Sequence, residues 1–274
     1  MIKSTRNFSP GALTATICLL VTIVFLAQSG SSASALSSVD QEWRQKALQA
    51  AGDSANERVL TLQAVYAGHI DDVRMVLKDR WEAEPSDTLR LTDYAWALMM
   101  AEEYRHDDKI SYGADIGKAI DAIEPYVERK TDYSTYKEYL AFKPTQDPML
   151  WLLWGHYLAR FCFDKPGASS AYNQALKYDP RLAEAYFERA QLVTNPYDPD
   201  YFKSHVTGAL SSLSTAEAMQ PQLHCLVLFQ RAGIFITQQN YHEYAVDLSQ
   251  YLNLWPNAPY ASKLRSDLAR FGKS

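Results

Sequence analysis

Cysteine, glycine and proline are scarce in this chain, and positive charge is not in excess. Only three of the 274 residues are cysteine, which is too few for a small disulfide-built scaffold. Eleven glycines and twelve prolines are too few for a low-complexity or collagen-like chain. The 32 acidic residues outnumber the 27 basic ones. Nucleic-acid binding is therefore not expected, because it requires clustered lysine and arginine.

Motifs that indicate catalysis or cofactor binding are also missing. The six histidines never occur in an H-E-x-x-H or H-x3-H spacing, so no metal site is predicted. No G-x-S-x-G, P-loop or G-x-G-x-x-G motif occurs. The adjacent carboxylates Asp71-Asp72 and Asp107-Asp108 diverge by about 100° on a helix and cannot share a substrate. We therefore expect a protein that is not an enzyme and needs no cofactor.

The first 35 residues have the three parts of a secretory signal peptide. Lys3 and Arg6 precede an uncharged apolar run over 11–27, and Ala33-Ser34-Ala35 forms an A-x-A cleavage site. Cleavage after Ala35 is the preferred interpretation. The alternative is an uncleaved membrane anchor, because a 17-residue run is near the lower limit for spanning a bilayer. Both interpretations predict an exported protein, in the periplasm or outside the cell, with possible membrane association through residues 11–27.

Because an exported protein enters an oxidising compartment that favours disulfides, the cysteines at positions 162 and 225 are candidates for a bridge. No C-x-x-C or cysteine-rich spacing occurs. We expect Cys162 and Cys225 to be free and buried, and to be too far apart in the fold to form a bridge.

What the chain has in abundance is helical periodicity. From residue 40 onward, apolar residues recur at helical spacing with no sustained alternation. Ala168, Tyr172 and Ala175 lie four and three residues apart on one helical face, and Pro180 follows. A second helix then carries Tyr186 and Ala190. The same small–large–small spacing recurs upstream and downstream, with a period near 34–41 residues.

This pattern resembles the tetratricopeptide repeat (TPR), in which two antiparallel helices pack through small residues. Trp151, Trp154, Gly155 and Leu158 are similar to its first-helix signature, W-x2-L-G-x2-Y. The resemblance implies an all-α helix-turn-helix solenoid over 54–258, with pairs at about 54–87, 88–130, 148–182, 183–222 and 223–258. A leading helix within 36–53 and a C-terminal capping helix within 259–274 flank it.

Three stretches depart from the repeat and are predicted to be insertions. They span 101–115, 131–147 and 195–203 and carry the tyrosines at 104, 112, 133, 136, 139, 197 and 201. Tyrosine covers apolar surface while its hydroxyl stays wet, so these stretches are candidate interfaces. The alternative is that the rings fold the insertions onto the solenoid.

The resemblance also implies a concave groove lined by the first helix of each pair. The residues assigned to it as partner contacts are Arg58, Trp96, Met100, Leu152, His156, Arg160, Phe187, Gln191 and Phe229. Such a groove could take an amphipathic helix or an extended apolar segment of a protein or peptide partner. The alternative is that its aromatic residues are ordinary helix–helix core.

The sequence thus favours a non-catalytic scaffold or assembly factor of the cell envelope. A membrane-anchored assembly factor that retains its N-terminal segment is the alternative. A glycan- or lipid-precursor-binding protein or enzyme is less favoured, and would need a deep pocket with several acids and tryptophans.

Overall fold

The computed structural model describes residues 38–104, 112–127, 144–194 and 199–271. The predicted signal segment and parts of all three predicted insertions lie outside these ranges. The described residues form two short 3₁₀ turns and twelve helices: α1 (Ser38–Gln49), α2 (Ser54–Ala67), α3 (Ile70–Ala83), α4 (Thr88–Glu103), α5 (Gly113–Val127), α6 (Pro148–Arg160), α7 (Lys165–Tyr178), α8 (Ala183–Gln191), α9 (Pro199–Met219), α10 (His224–Thr237), α11 (Tyr241–Leu254) and α12 (Ala261–Phe271).

Aspartate side chains fix the start of several helices. Asp53, Asp87, Asp147 and Asp164 precede α2, α4, α6 and α7, and each accepts a hydrogen bond from a backbone N–H of the first turn. Such caps satisfy N–H groups that have no partner within the helix. At the other end of α2, Gly68 adopts a left-handed conformation with φ +78° and ends the helix.

Each helix packs against the next along the chain, and the helices from α2 to α11 form the five predicted pairs. Small residues lie at the crossings: Ala95, Ala175, Ala190 and Ala216 are all buried. Helices α6 and α7 approach each other closely at Gly155. A Cβ atom on Gly155 would lie only 2.5 Å from Cε1 of Tyr172, so only glycine allows this packing distance.

The C-terminal helix α12 covers the end of the last pair. Its apolar residues Leu264, Leu268 and Phe271 pack on the core, and the Phe271 ring stacks on Tyr241 with centroids 5.2 Å apart. A polar outer face and an apolar inner face are what the end of a repeat array requires. None of the helices in the described ranges is long and apolar enough to cross a membrane.

The array curls far enough for its first and last pairs to touch. The Tyr66 hydroxyl on α2 donates a 2.8 Å hydrogen bond to the carbonyl of Gln222, just before α10. The Trp255 ring, just after α11, contacts both Tyr66 and Tyr104. As a result α4 lies at the centre, with every residue from 91 to 101 buried. A helix buried on all sides is part of a core, not of an open surface.

The structure shows the burial of two cysteines and two tyrosines for which the sequence makes predictions. Cys162 and Cys225 are both free thiols, and Cys225 is buried. The prediction of burial is wrong for Cys162, which is exposed because it lies in the turn between α6 and α7. Tyr104 and Tyr112, from the predicted insertion at 101–115, are both buried and pack onto the solenoid.

Candidate functional site

The inner face comprises the sides of α2, α4, α6, α8 and α10 that the repeat pattern assigned to a groove. Most of its predicted contact residues are buried: Trp96, Met100, Leu152, His156, Phe187 and Gln191. The expected open groove is therefore filled at these positions, because the curled array packs the first helices against one another. A role for these six residues as partner contacts stays a prediction that requires the helices to separate.

The remaining predicted contacts lie at the margin of the inner face. Arg58 forms a 3.3 Å ion pair with Glu184, and Arg160 forms a 2.7 Å ion pair with Glu103. The Phe229 ring packs on Tyr251, with centroids 5.0 Å apart. All three side chains are half-buried. Both arginines therefore already neutralise carboxylates of the protein itself.

The inner face contains a polar cluster that consists of Glu103, His156 and Glu188. These residues lie on α4, α6 and α8, and their ligand-type atoms are all within 4.8 Å of one another. His156 Nδ1 lies 3.0 Å from Glu188 Oε2 and donates a hydrogen bond to it. The same oxygen accepts a 3.4 Å hydrogen bond from the Tyr172 hydroxyl. We call Glu103, His156 and Glu188 the carboxylate–histidine cluster.

Electrostatics in the carboxylate–histidine cluster favour the charged form of Glu188. Burial raises the pKa of Glu188, but His156 and Arg160 outweigh burial and hold that pKa below its usual value. Burial likewise lowers the pKa of Arg160, yet the carboxylates of Glu103 and Glu188 raise it above its usual value. One oxygen of each carboxylate in this buried cluster thus has a partner, Glu188 Oε2 with His156 and Glu103 Oε1 with Arg160.

A second polar site, the carboxyl pair, joins Glu57 on α2 to Asp93 on α4. Both residues are buried. Asp93 Oδ2 accepts a 2.9 Å hydrogen bond from Ser54, while Glu57 accepts one from Arg80. Burial, the hydrogen bond to Glu57 and the charge of Glu57 raise the pKa of Asp93 to about 8. The protonated form of Asp93 is therefore favoured at neutral pH.

On the outside of the array, a groove of about 650 Å³ lies between α1, α3 and the start of α4. Its apolar lining includes Leu48, which is 52% exposed, and Val76. Seven of the ten lining residues are polar or charged: Gln41, Glu42, Arg44, Gln45, Asp79, Arg80 and Arg90. The groove thus combines a small apolar patch with polar groups of both charges, and binding sites use such polar groups to orient a ligand.

Several of these polar residues were not predicted as site residues. Considered one at a time in the sequence, these residues are ordinary helical positions: Glu57, Asp93, Glu103, Tyr172 and Glu188. One signal was available: an acid at an inward-facing position of an otherwise apolar helical pattern, as at Glu188, requires a buried partner.

Comparisons with known proteins give a structural likeness but no sequence match. No family model matches the chain. No curated protein matches it by sequence. The fold is similar to the crystal structure of TTC0263, a thermophilic TPR protein in Thermus thermophilus, with 15% sequence identity and a TM-score of 0.49. The alignment covers 81% of this chain and 100% of that one.

Proposed function

We propose that this protein is a non-catalytic interaction scaffold or assembly factor of the cell envelope. Its support is an all-α array of adjacent helix pairs whose sequence resembles the TPR, a repeat that binds other proteins. The observation that carries the proposal is the outer groove between α1, α3 and α4, which is open while the inner face is filled.

The outer groove suits a protein segment with one apolar face. Leu48 would contact its apolar side chains, since burial of exposed apolar area supplies most of the affinity in such contacts, and the buried Val76 lies beneath it. Arg44 is held by Asp72 at 3.2 Å, and Arg90 by Glu84 at 2.6 Å. Each guanidinium has five N–H donors, so both can also donate to carbonyl or carboxylate oxygens of the partner.

The proposed location is outside the cytoplasm, with the N-terminal segment as the export signal. A cleaved protein would begin at Leu36, whereas an anchored assembly factor would retain residues 1–35. Intact-mass spectrometry of the protein isolated from cells distinguishes the two, because cleavage removes the apolar run at 11–27 together with Lys3 and Arg6.

A pull-down from envelope extract tests the scaffold function and the groove together. The full chain, the variant Leu48→Asp and the matched control Leu254→Asp serve as baits; Leu254 is similarly exposed, at 57%, but lies on α11. We expect a partner to be captured by the parent and by Leu254→Asp, and to be lost with Leu48→Asp. Circular dichroism melts should be the same for all three.

Two outcomes would contradict the proposal in different ways. Equal capture by both variants would place the interface elsewhere, on the insertions or the inner face. Inner-face binding would then be lost in Trp96→Ala, although a Trp-to-Ala change in a core also costs about 3–5 kcal/mol of stability. Reproducible failure of the parent to capture any envelope protein would contradict the scaffold function.

A further inference from the structure

The carboxylate–histidine cluster brings together three side chains that are metal ligands in many proteins. Glu103, His156 and Glu188 come from three different helices, α4, α6 and α8, and none is adjacent to another in sequence. Nitrogen from imidazole and oxygen from carboxylates form the ligand set that Zn²⁺ and neighbouring divalent transition ions accept.

The second observation is that oxygen atoms around this cluster are buried without a donor. Glu188 Oε1, Glu103 Oε2 and the Tyr104 hydroxyl have no hydrogen-bond partner among the described residues. Glu188 is only 1% exposed, so bulk solvent does not reach its carboxylate. Buried polar atoms are nearly always satisfied by a protein group, an ordered water or an ion. Two such carboxylate oxygens beside an imidazole point to a cation.

We propose that Glu103, His156 and Glu188 form a binding site for one divalent transition-metal ion of the zinc class. Ligand atoms in tetrahedral geometry that each lie about 2.0–2.1 Å from such an ion are about 3.3–3.4 Å apart. His156 Nδ1 and Glu188 Oε2 are 3.0 Å apart, so a bound ion would replace the proton between them and move the two atoms apart by a few tenths of an ångström. Glu103 is half-buried, so its carboxylate can move towards the other two ligands.

Neighbouring side chains hold the two carboxylates in the orientation that binding needs. Arg160 donates to Glu103 Oε1 at 2.7 Å and leaves Oε2 free, while Tyr172 donates to Glu188. Outer hydrogen bonds of this kind are common around metal ligands and orient them. Three protein ligands leave a fourth position of the ion for water.

A competing cluster elsewhere in the chain provides the sharpest control. Asp40, His69 and Asp72 also bring ligand-type atoms within 4.8 Å of one another, where α1 meets α3. All three residues are half-buried, and the His69 ring stacks on Trp43 with centroids 5.7 Å apart. Surface acids and histidines bind transition ions weakly, so a variant at His69 measures this contribution separately.

The test is calorimetric titration of the metal-stripped full chain with ZnCl₂ alone. We expect one equivalent to bind and the melting temperature to rise with Zn²⁺. Glu103→Gln and Glu188→Gln should each weaken binding at least about tenfold, the lower end of what even an outer partner of a metal site contributes. His69→Ala and His242→Ala, with His242 on an exposed face of α11, should bind as the parent does.

Folding is checked by circular dichroism melts without metal. Glu103→Gln is the decisive variant, because Gln keeps an acceptor for Arg160 at a half-buried position and should leave the fold intact. Absence of saturable Zn²⁺ binding by the parent would overturn the proposal. Loss of binding in His69→Ala with full binding in Glu103→Gln would overturn it as well, and would move the ion to the α1–α3 cluster.

Discussion

The carboxyl pair makes stability depend on pH in a direction opposite to that of ion-paired acids, whose pKa is lowered in the fold. Asp93 has an ordinary pKa of 3.8, raised to about 8 in the fold. Between these values the unfolded chain loses the proton while the folded protein keeps it, so the folded state binds more protons. The free energy of unfolding therefore falls as pH rises through this window, by about 1.4 kcal/mol per pH unit at most.

The variant Asp93→Asn removes this dependence. The asparagine amide can donate to Glu57 as the protonated carboxyl does, so the neutral arrangement is kept at every pH. Relative to the parent, Asp93→Asn should gain about 2–3 kcal/mol of stability between pH 5 and pH 7. Urea unfolding followed by circular dichroism at pH 5, 6, 7 and 8 measures the difference in the free energy of unfolding between the variant and the parent. The contributions of other titrating groups cancel in this difference.

Asp79→Asn is the matched control, because Asp79 is exposed on α3. The difference in the free energy of unfolding between Asp79→Asn and the parent should not change with pH. A difference curve for Asp93→Asn that is also flat would refute the raised pKa of Asp93. A curve that falls with pH would mean that Asp93 is stabilised as the carboxylate, and would reverse the assignment.

Two further predictions concern packing and exposure. Gly155→Ala should destabilise by about 1–3 kcal/mol, because the added Cβ would overlap the Tyr172 ring; thermal melts check this. Gly208→Ala, where no described atom lies within 4 Å of the added Cβ, should instead stabilise α9 by up to about 1 kcal/mol, and equal effects at both glycines would contradict the close α6–α7 approach. Iodoacetamide should alkylate Cys162 and spare Cys225 in the folded protein, because burial raises the pKa of Cys225 to about 12 and shields it. Peptide mapping reads this out, and rapid labelling of Cys225 would contradict its burial.

The helix pairs could be predicted from the sequence because their signals are local. Asp147-Pro148 begins α6 and Asp164 begins α7, and the spacing of Ala168, Tyr172 and Ala175 marks the buried side of α7. Each of these signals acts within a few residues. The all-α class and the pairing of helices follow directly from them.

The filled inner face could not be predicted, because it depends on how far the array curls. That curl is set by contacts between distant residues, such as Tyr66 with the carbonyl of Gln222. The same limit applies to the carboxylate–histidine cluster. Glu103, His156 and Glu188 have no motif spacing in the sequence, and only the packing of three helices brings them together.

The contact between the first and last pairs changes how this array should come apart. An open solenoid unfolds approximately repeat by repeat, because each repeat touches only its neighbours. Here Trp255 packs on Tyr66 of α2 and on Tyr104 at the end of α4. Loss of the C-terminal pair therefore exposes α2 and the end of α4 as well. Local opening at either end is thereby linked to opening at the other. Amide hydrogen exchange should accordingly find one cooperative unit rather than a gradient of protection along the chain.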